Sequence, residues 1–132
     1  MLILVGAPLP YPDHAQRALR LARQIRERGV EITARWSDQD LHLGVGVGVA
    51  SGFVTVGVIG AASRLEYTAV GPAVNLASRL CSEAAHGEIL IDGRSMELLG
   101  EDAQRRHQLR RGEALKLKGF VQPVQSYTLA AA

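Results

Sequence analysis

One stretch decides the fold of this 132-residue chain: Tyr67-Thr68-Ala69-Val70-Gly71-Pro72-Ala73-Val74-Asn75-Leu76-Ala77-Ser78-Arg79-Leu80. Its opening residues predict a short strand that ends at Val70. Gly71 breaks the strand, and Pro72 begins a helix, because the fixed φ angle of proline and its missing N–H suit the first helical position. The stretch therefore predicts a strand, a turn and a helix in direct succession.

Three polar side chains of this stretch are expected to face one ligand. Asn75 and Arg79 stand four residues apart on the predicted helix, so their side chains share one face. Thr68 adds a hydroxyl from the strand just before the turn. An amide, a guanidinium and a hydroxyl without a carboxylate indicate a site for a phosphorylated ligand rather than for a metal ion.

The same run, Tyr-Thr-x-Val-Gly-x-x-Val-Asn-Leu-Ala-Ser-Arg-Leu, resembles the signature of the class III nucleotidyl cyclases, which are the adenylate and guanylate cyclase catalytic domains. The resemblance covers almost the whole chain, from Gly6-Ala7-Pro8 through Gly57-Val58-Ile59-Gly60 to Lys116-Leu117-Lys118-Gly119. It implies an α+β fold, a ferredoxin-like cyclase core with an antiparallel-rich sheet and helices on one face. It also implies that the first strands of that core are missing here.

The resemblance assigns a role to each matching residue. Arg79 corresponds to the arginine that stabilises charge developing on the α-phosphate as the ribose 3′-hydroxyl attacks, and Asn75 to the residue that orients the ribose. Thr68 corresponds to the base-selecting position, where threonine occurs in one bacterial-type subgroup and favours ATP over GTP. Val70 would form a wall beside the base, and Lys118 would meet the terminal phosphates of the substrate.

These residues also have purely structural interpretations. Asn75 taken alone could hydrogen-bond the backbone near the helix start, and Arg79 could pair with Glu83 one turn later. Lys118 and Lys116 could belong to a solvated basic edge. The surrounding motif favours the functional interpretation for Asn75 and Arg79.

The metal ions of the family, Mg²⁺ or Mn²⁺, are held by two aspartates on elements that this chain does not match. Residues 1–8 resemble the strand that follows the second of these aspartates. Asp13, Asp38 and Asp40 lie elsewhere in the pattern. No residue of this chain is therefore assigned as a metal ligand.

Two hypotheses of function follow. Family active sites form between two chains, so this chain is expected to be inactive alone. It would bind ATP and complete the site of a homodimer or of a metal-bearing cyclase partner, forming cyclic AMP for intracellular signal transduction. The alternative is a non-catalytic cyclase-homology module for dimerisation or nucleotide sensing. The sequence leaves open whether the chain is a fragment or a natural half-site.

The composition fits one domain, residues 1–132, since domains usually contain about 100 to 200 residues. A net charge of +2 and 5% aromatic residues are too little for a nucleic-acid-binding surface. The single cysteine, Cys81, is predicted to be a small core residue. Because one cysteine cannot form an internal disulfide, the chain is expected in a reducing cytoplasm. The apolar residues 1–5 are too few for a membrane span.

Periodicity predicts the remaining elements. Three alternating glycines, Gly44, Gly46 and Gly48, predict a strand face against which another element lies closely. Asp92 is the predicted N-cap of a helix that Gly100 ends. The other expectations are a buried strand at 1–5, a helix from Asp13 to about Arg28, a linker from Gly29 to Asp40 in which Trp36 packs, a hairpin of 41–49 with 53–59, and strands at 88–91, 108–118 and 124–129.

Overall fold

The computed structural model describes residues 1–37 and 43–129. Within these ranges the helices are α1 (His14–Trp36), α2 (Pro72–Glu83) and α3 (Gly93–Arg106). The strands there are β1 (Val47–Val49), β2 (Thr55–Ala61), β3 (Arg64–Val70), β4 (Ile89–Asp92), β5 (Arg110–Leu115) and β6 (Val124–Leu129). No helix in these ranges combines the length and the apolar character needed to cross a lipid bilayer.

Four of the strands form one sheet in the order β1-β4-β6-β5. β1 runs parallel to β4, whereas the β4–β6 and β5–β6 pairs are antiparallel. β2 and β3 form a separate antiparallel hairpin. Helices packed on a mainly antiparallel sheet confirm the predicted α+β class.

The helices cover both faces of the sheet. Side chains alternate across a strand, so Ile89 and Ile91 of β4 face one side and Leu90 faces the other. Ile89 and Ile91 belong to a core cluster with residues of α1 and α3, whereas Leu90 clusters with Leu80 of α2. The predicted placement of the helices on one face is corrected here, because α2 lies opposite α1 and α3.

β1 lies directly against α2, as the alternating glycines predict. A Cβ atom on Gly48 would overlap the backbone of α2 at the carbonyl oxygen of Ala77 and the amide nitrogen of Cys81. On Gly46 a Cβ atom would lie 2.9 Å from the Cβ of Ala84. The prediction of a closely packed glycine face is confirmed, since a larger residue would hold the two backbones apart.

The predicted hairpin of 41–49 with 53–59 is wrong. β1 pairs with β4, and β2 pairs with β3. The physical reason is that α2 packs on both β1 and β4 and so brings these two strands side by side. Residues 38–42, which include part of the predicted linker and strand, lie outside the described residues.

The N-terminal part of the chain departs most from prediction. α1 continues through Gly29 to Trp36, so the predicted helix end and linker are wrong. A Cβ on Gly29 would lie 3.0 Å from Val45, so this glycine permits close packing rather than ending the helix. Trp36 is 68% exposed instead of packed. Residues 1–5 form no strand, and no strand of the described residues pairs with them.

α3 begins as predicted. The carboxylate of Asp92 accepts a hydrogen bond from the Ser95 backbone N–H at 3.0 Å, which is the geometry of a helix N-cap. Gly100 has a φ of +81° and interrupts the helix, which resumes and runs to Arg106. The predicted helix end is therefore a kink. The strands predicted around β4, β5 and β6 are confirmed.

Candidate functional site

The β2–β3 hairpin carries Thr68 and Val70 on one face, because residues two apart on a strand point to the same side. Thr68 pairs with Gly57, and Val70 pairs with Thr55. A Cβ on Gly57 would have no atom within 4 Å, so open space lies beside the half-buried Thr68. Val70 is exposed next to that space. The arrangement leaves room for a planar ring beside a hydroxyl and an apolar side chain.

Gly71 joins this face to α2 in a backbone conformation that suits only glycine. Its φ is +150°, and a Cβ there would lie 3.3 Å from the Cα of Val54. Its carbonyl oxygen accepts hydrogen bonds from the backbone N–H groups of Val74 at 3.1 Å and Asn75 at 3.2 Å. α2 therefore starts at a fixed position immediately after β3, with Pro72 in the first turn.

Asn75 and Arg79 lie on α2 with their side chains exposed. Within the described residues, Arg79 forms no ion pair with Glu83 or any other carboxylate, and the Asn75 side chain makes no hydrogen bond to the backbone. The two structural interpretations offered by the sequence are therefore not realised there. Both side chains remain available to a ligand.

Lys118 occupies a tight turn after β5. The backbone N–H of Phe120 donates to the carbonyl oxygen of Leu117 at 3.1 Å, and Gly119 has a φ of +90°, as the third position of a type II turn requires. Leu117 is buried in the same cluster as Leu80 of α2. This packing sets the Lys118 turn beside the helix that carries Asn75 and Arg79.

β1 and the residues just before it also contact α2. The thiol of Cys81 donates a hydrogen bond to the carbonyl oxygen of Gly46 at 3.3 Å. The Cys81 side chain is exposed, so its prediction as a core residue is wrong. The backbone of this residue, rather than its side chain, makes the close contact with Gly48. The helix position is thus determined by Gly48 of β1, by Gly46 just before that strand, and by leucines on the inner face of the helix.

The five candidate residues come from three places in the fold. Thr68 and Val70 share a strand face, Asn75 and Arg79 share a helix face, and Lys118 follows β5. No hydrogen bond or ion pair joins any two of these five side chains in the part of the chain that the structure describes. They are therefore candidates to meet through a bound ligand rather than through one another.

A buried carboxylate lies where the chain leaves β4 for α3. Burial raises the pKa of Asp92, and hydrogen bonds from Ser95 and Ser51 oppose this effect. The hydroxyl oxygens of Ser51 and Ser95 lie 2.7 Å apart. Ser51 stands on the connection between β1 and β2, so these contacts tie that connection to the start of α3.

The described residues contain no group of three or more His, Cys, Asp or Glu side chains that could hold a metal ion. Asp13 lies at the start of α1, where Arg17 bonds its carboxylate at 2.9 Å, and Asp38 and Asp40 lie outside the described residues. The carboxylates of Asp13 and Asp92 each accept a hydrogen bond within the chain, and neither is assigned to the two-aspartate metal site of the resemblance.

The comparison with protein families decides the identity of the domain. The family model described as the adenylate and guanylate cyclase catalytic domain matches residues 1–131. The chain belongs to this family. Its members are nucleotidyl cyclases, which release pyrophosphate from a nucleoside triphosphate as they form a cyclic nucleotide.

Similar proteins include cyclases of both specificities. An uncharacterized protein of Mycobacterium tuberculosis strain H37Rv is 35% identical over 126 residues, which cover 94% of this chain and 22% of that protein. The adenylyl cyclase CyaB from P. aeruginosa is 29% identical with a TM-score of 0.73, covering 97% of this chain and 65% of that one. The guanylyl cyclase Cya2 is 28% identical with a TM-score of 0.78, covering 96% and 63%. This cyclase domain thus spans about a fifth of its curated relative.

The sequence alone did not indicate two residues that position the candidate site. Gly57 makes the space beside Thr68, but only the strand register shows that the two residues are opposite each other. Leu117 places the Lys118 turn next to the core cluster that also contains Leu80 of α2, although the two leucines are far apart in sequence. Both are recognised by pairing and packing, which no local pattern reports.

Proposed function

We propose that this domain supplies the substrate-binding and transition-state half of an adenylate cyclase active site, which forms cyclic AMP from ATP for intracellular signalling. The observation that carries the proposal is the pair Asn75 and Arg79. Their side chains are exposed one turn apart on α2, without a partner among the described residues, and Leu117, which precedes Lys118, belongs to the same core cluster as Leu80 of this helix. Exposed amide and guanidinium groups without a partner in the chain can bind a phosphorylated ligand.

Each side chain has a defined task in this proposal. The ribose 3′-hydroxyl loses its proton to solvent as its oxygen forms a bond to the α-phosphorus, and the bond from that phosphorus to the β-phosphate oxygen breaks, which releases pyrophosphate. Arg79 stabilises the negative charge on the α-phosphate, because its guanidinium stays charged and presents a rigid fork of donors. Asn75 orients the ribose, and Lys118 holds the terminal phosphates. This geometry lowers the entropic cost of the attack.

Base selection is assigned to the hairpin face. Thr68 would exchange hydrogen bonds with the edge of the base, and Val70 would contact its plane. The open space over Gly57 would accommodate the ring. A neutral hydroxyl can accept from the amino group of adenine, and threonine at this position is typical of the ATP-favouring subgroup that the sequence resembles. We therefore place ATP ahead of GTP.

The divalent cations of the family, Mg²⁺ or Mn²⁺, are assigned to a partner chain, since the described residues contain no suitable group. The partner would be a second copy or a metal-bearing cyclase domain. The face of the β2–β3 hairpin opposite Thr68 and Val70 fits a protein partner, because large apolar side chains are exposed on it. These are Val56, Val58, Leu65 and Tyr67. We place the assembly in the cytoplasm, where a free thiol such as Cys81 persists.

Complementation tests the proposal. The chain is mixed with an adenylyl cyclase domain that keeps its metal-binding aspartates but has lost its own transition-state arginine. With ATP and Mn²⁺, cyclic AMP is expected from the mixture and not from either chain alone. Arg79→Ala should lower the rate by about 10²- to 10³-fold, the usual effect of removing one transition-state donor. Arg94→Ala is the matched control, since Arg94 pairs with Glu97 on α3.

Other outcomes are equally informative. Full activity in Arg79→Ala, or activity that survives a chelator, contradicts the proposal. ATP binding without turnover in the mixture supports the non-catalytic module instead. A preference for GTP would contradict the assignment of Thr68 while leaving the cyclase role intact.

A further inference from the structure

A second group of basic side chains lies where α1 meets α3. The two helices pack through a shared core, and this contact brings Arg23 of α1 to His107, which caps the end of α3. The guanidinium nitrogen Nη1 of Arg23 lies 2.9 Å from Nδ1 of His107. An arginine can only donate, so Nδ1 of His107 carries no proton in this contact.

Two more arginines act on the same histidine. Burial lowers the pKa of His107, and the positive charges of Arg23, Arg106 and Arg20 lower it further. Arg20 stands three residues before Arg23 and so shares its side of α1. We refer to Arg20, Arg23, Arg106 and His107 as the α1–α3 basic cluster.

The cluster differs from four other arginines of α1 and α3, although Arg35 of α1 also forms no ion pair among the described residues. Four arginines form ion pairs with a carboxylate three or four residues away, at 2.7 to 3.3 Å: Arg17, Arg28, Arg94 and Arg105. Within the described residues, no ion pair involves Arg20, Arg23 or Arg106. Positive charges are thus gathered from two helices without an ion pair to a carboxylate in the described part of the chain.

The dipole of α3 explains only part of this arrangement. A helix C-terminus carries about half a negative charge, which favours a cation such as Arg106 in the last turn. Arg20 and Arg23 come from the other helix and add two full charges. Because like charges repel, such a cluster is stabilised by an anion.

We propose that the α1–α3 basic cluster binds a phosphate group, carried by a free phosphate ion or by an anionic lipid headgroup. Guanidinium groups match phosphate oxygens with paired hydrogen bonds, and three of them suit a dianion better than a single carboxylate. The inference does not depend on the cyclase function, since Asn75 and Arg79 belong to α2 on the opposite face of the sheet.

The first experiment follows the imidazole of His107 by NMR while inorganic phosphate replaces chloride at constant ionic strength. We expect a saturable change in the ring resonances and a rise in the titration midpoint of His107, because the bound anion offsets the guanidinium charges. Arg20→Gln combined with Arg106→Gln should weaken phosphate binding by at least about tenfold, while keeping the Arg23 contact. Arg28→Gln, on the same helix but paired with Glu31, should bind normally.

A second arm separates the two sources of phosphate. Binding to vesicles of phosphatidylserine and phosphatidylcholine, absent with phosphatidylcholine alone and reversed by free phosphate, assigns the site to a lipid headgroup. Saturable phosphate binding without vesicle binding assigns it to a free ion. A response that never saturates, or that persists in the double variant, overturns the proposal. Circular dichroism confirms that each variant is folded.

Discussion

The two faces of the four-stranded sheet carry cores of different size. Among the described residues, eight buried side chains form the cluster shared by α1, α3 and β4, whereas three form the cluster under α2. The larger core belongs to the helices that carry no candidate cyclase residue. The smaller one lies under α2, which carries Asn75 and Arg79. Stability and the candidate site are therefore associated with opposite faces, and substitutions can test them separately.

The largest expected effect is on the α1–α3 face. Ile91 has no exposed surface, so Ile91→Ala should lower the free energy of unfolding by about 2 to 5 kcal/mol through lost contacts and a new cavity. Total stability is typically about 5 to 15 kcal/mol, so much of it would be lost. Urea unfolding of the purified chain measures the change.

Ile32→Ala is the matched control for this prediction. Ile32 is 50% exposed on α1, and its truncation should change stability by no more than about 0.5 kcal/mol. Equal effects of the two substitutions would contradict the comparison of the faces.

A smaller effect on stability is expected at the contact between β1 and α2. In Gly48→Ala the new methyl group meets the α2 backbone, and overpacking of this kind costs about 1 to 3 kcal/mol. Because the helix must shift, the amide resonances of Asn75 and Arg79 should move. Urea unfolding and NMR spectra check both statements.

Gly93→Ala serves as its control. The nearest atom to a Cβ there is Cε2 of Tyr127 at 3.8 Å, which is an ordinary contact, so the new methyl group should change stability by no more than about 0.5 kcal/mol. Unchanged α2 resonances in Gly48→Ala would show that the glycine face does not determine the helix position.

The smallest effect is a pH dependence. The pKa of Asp92 is raised above its ordinary value of 3.8, chiefly by burial, so the folded chain holds this proton more tightly than the unfolded chain does. The contribution is complete below 3.8 and is lost as the pH rises through the raised pKa. Relative to Asp92→Asn, the native chain should therefore lose stability as the pH rises above that value.

For Asp13 we expect the dependence of stability on pH to have the opposite sign. The hydrogen bond from Arg17 lowers the pKa of Asp13, so its contribution is present above the ordinary value and is lost as the pH falls through the lowered one. Unfolding at a series of pH values, with Asp92→Asn and Asp13→Asn compared with the native chain, checks both slopes. Slopes of the same sign would contradict the assignment.

Local elements were predicted well where turn chemistry is strong. Gly71 and Pro72 mark the start of α2, and Asp92 marks the start of α3, because caps and breaks act through neighbouring backbone groups. Gly29 does not end α1, although glycine commonly ends helices. A glycine can end a helix or permit close packing, and the contact with Val45 selects the second role.

The candidate site, too, could be predicted from the sequence only in part. Asn75 and Arg79 share a face by helical spacing alone, so the sequence was sufficient to group them. The register that puts Gly57 opposite Thr68, and the cluster that brings Leu117 and Leu80 together in one core, required the folded chain. The roles of the five site residues stay predictions until complementation tests them.

By itself, the sequence determined the strand, turn and helix from Tyr67 to Leu80, the cap at Asp92, the glycine face of β1 and the cyclase family. Only the tertiary structure decided that β1 pairs with β4, that α2 lies opposite α1 and α3, and that α1 continues past Gly29. The physical reason is the distance along the chain over which each kind of interaction acts. Backbone preferences act over a few neighbouring residues, whereas strand partners and helix faces depend on which distant apolar surfaces are buried together.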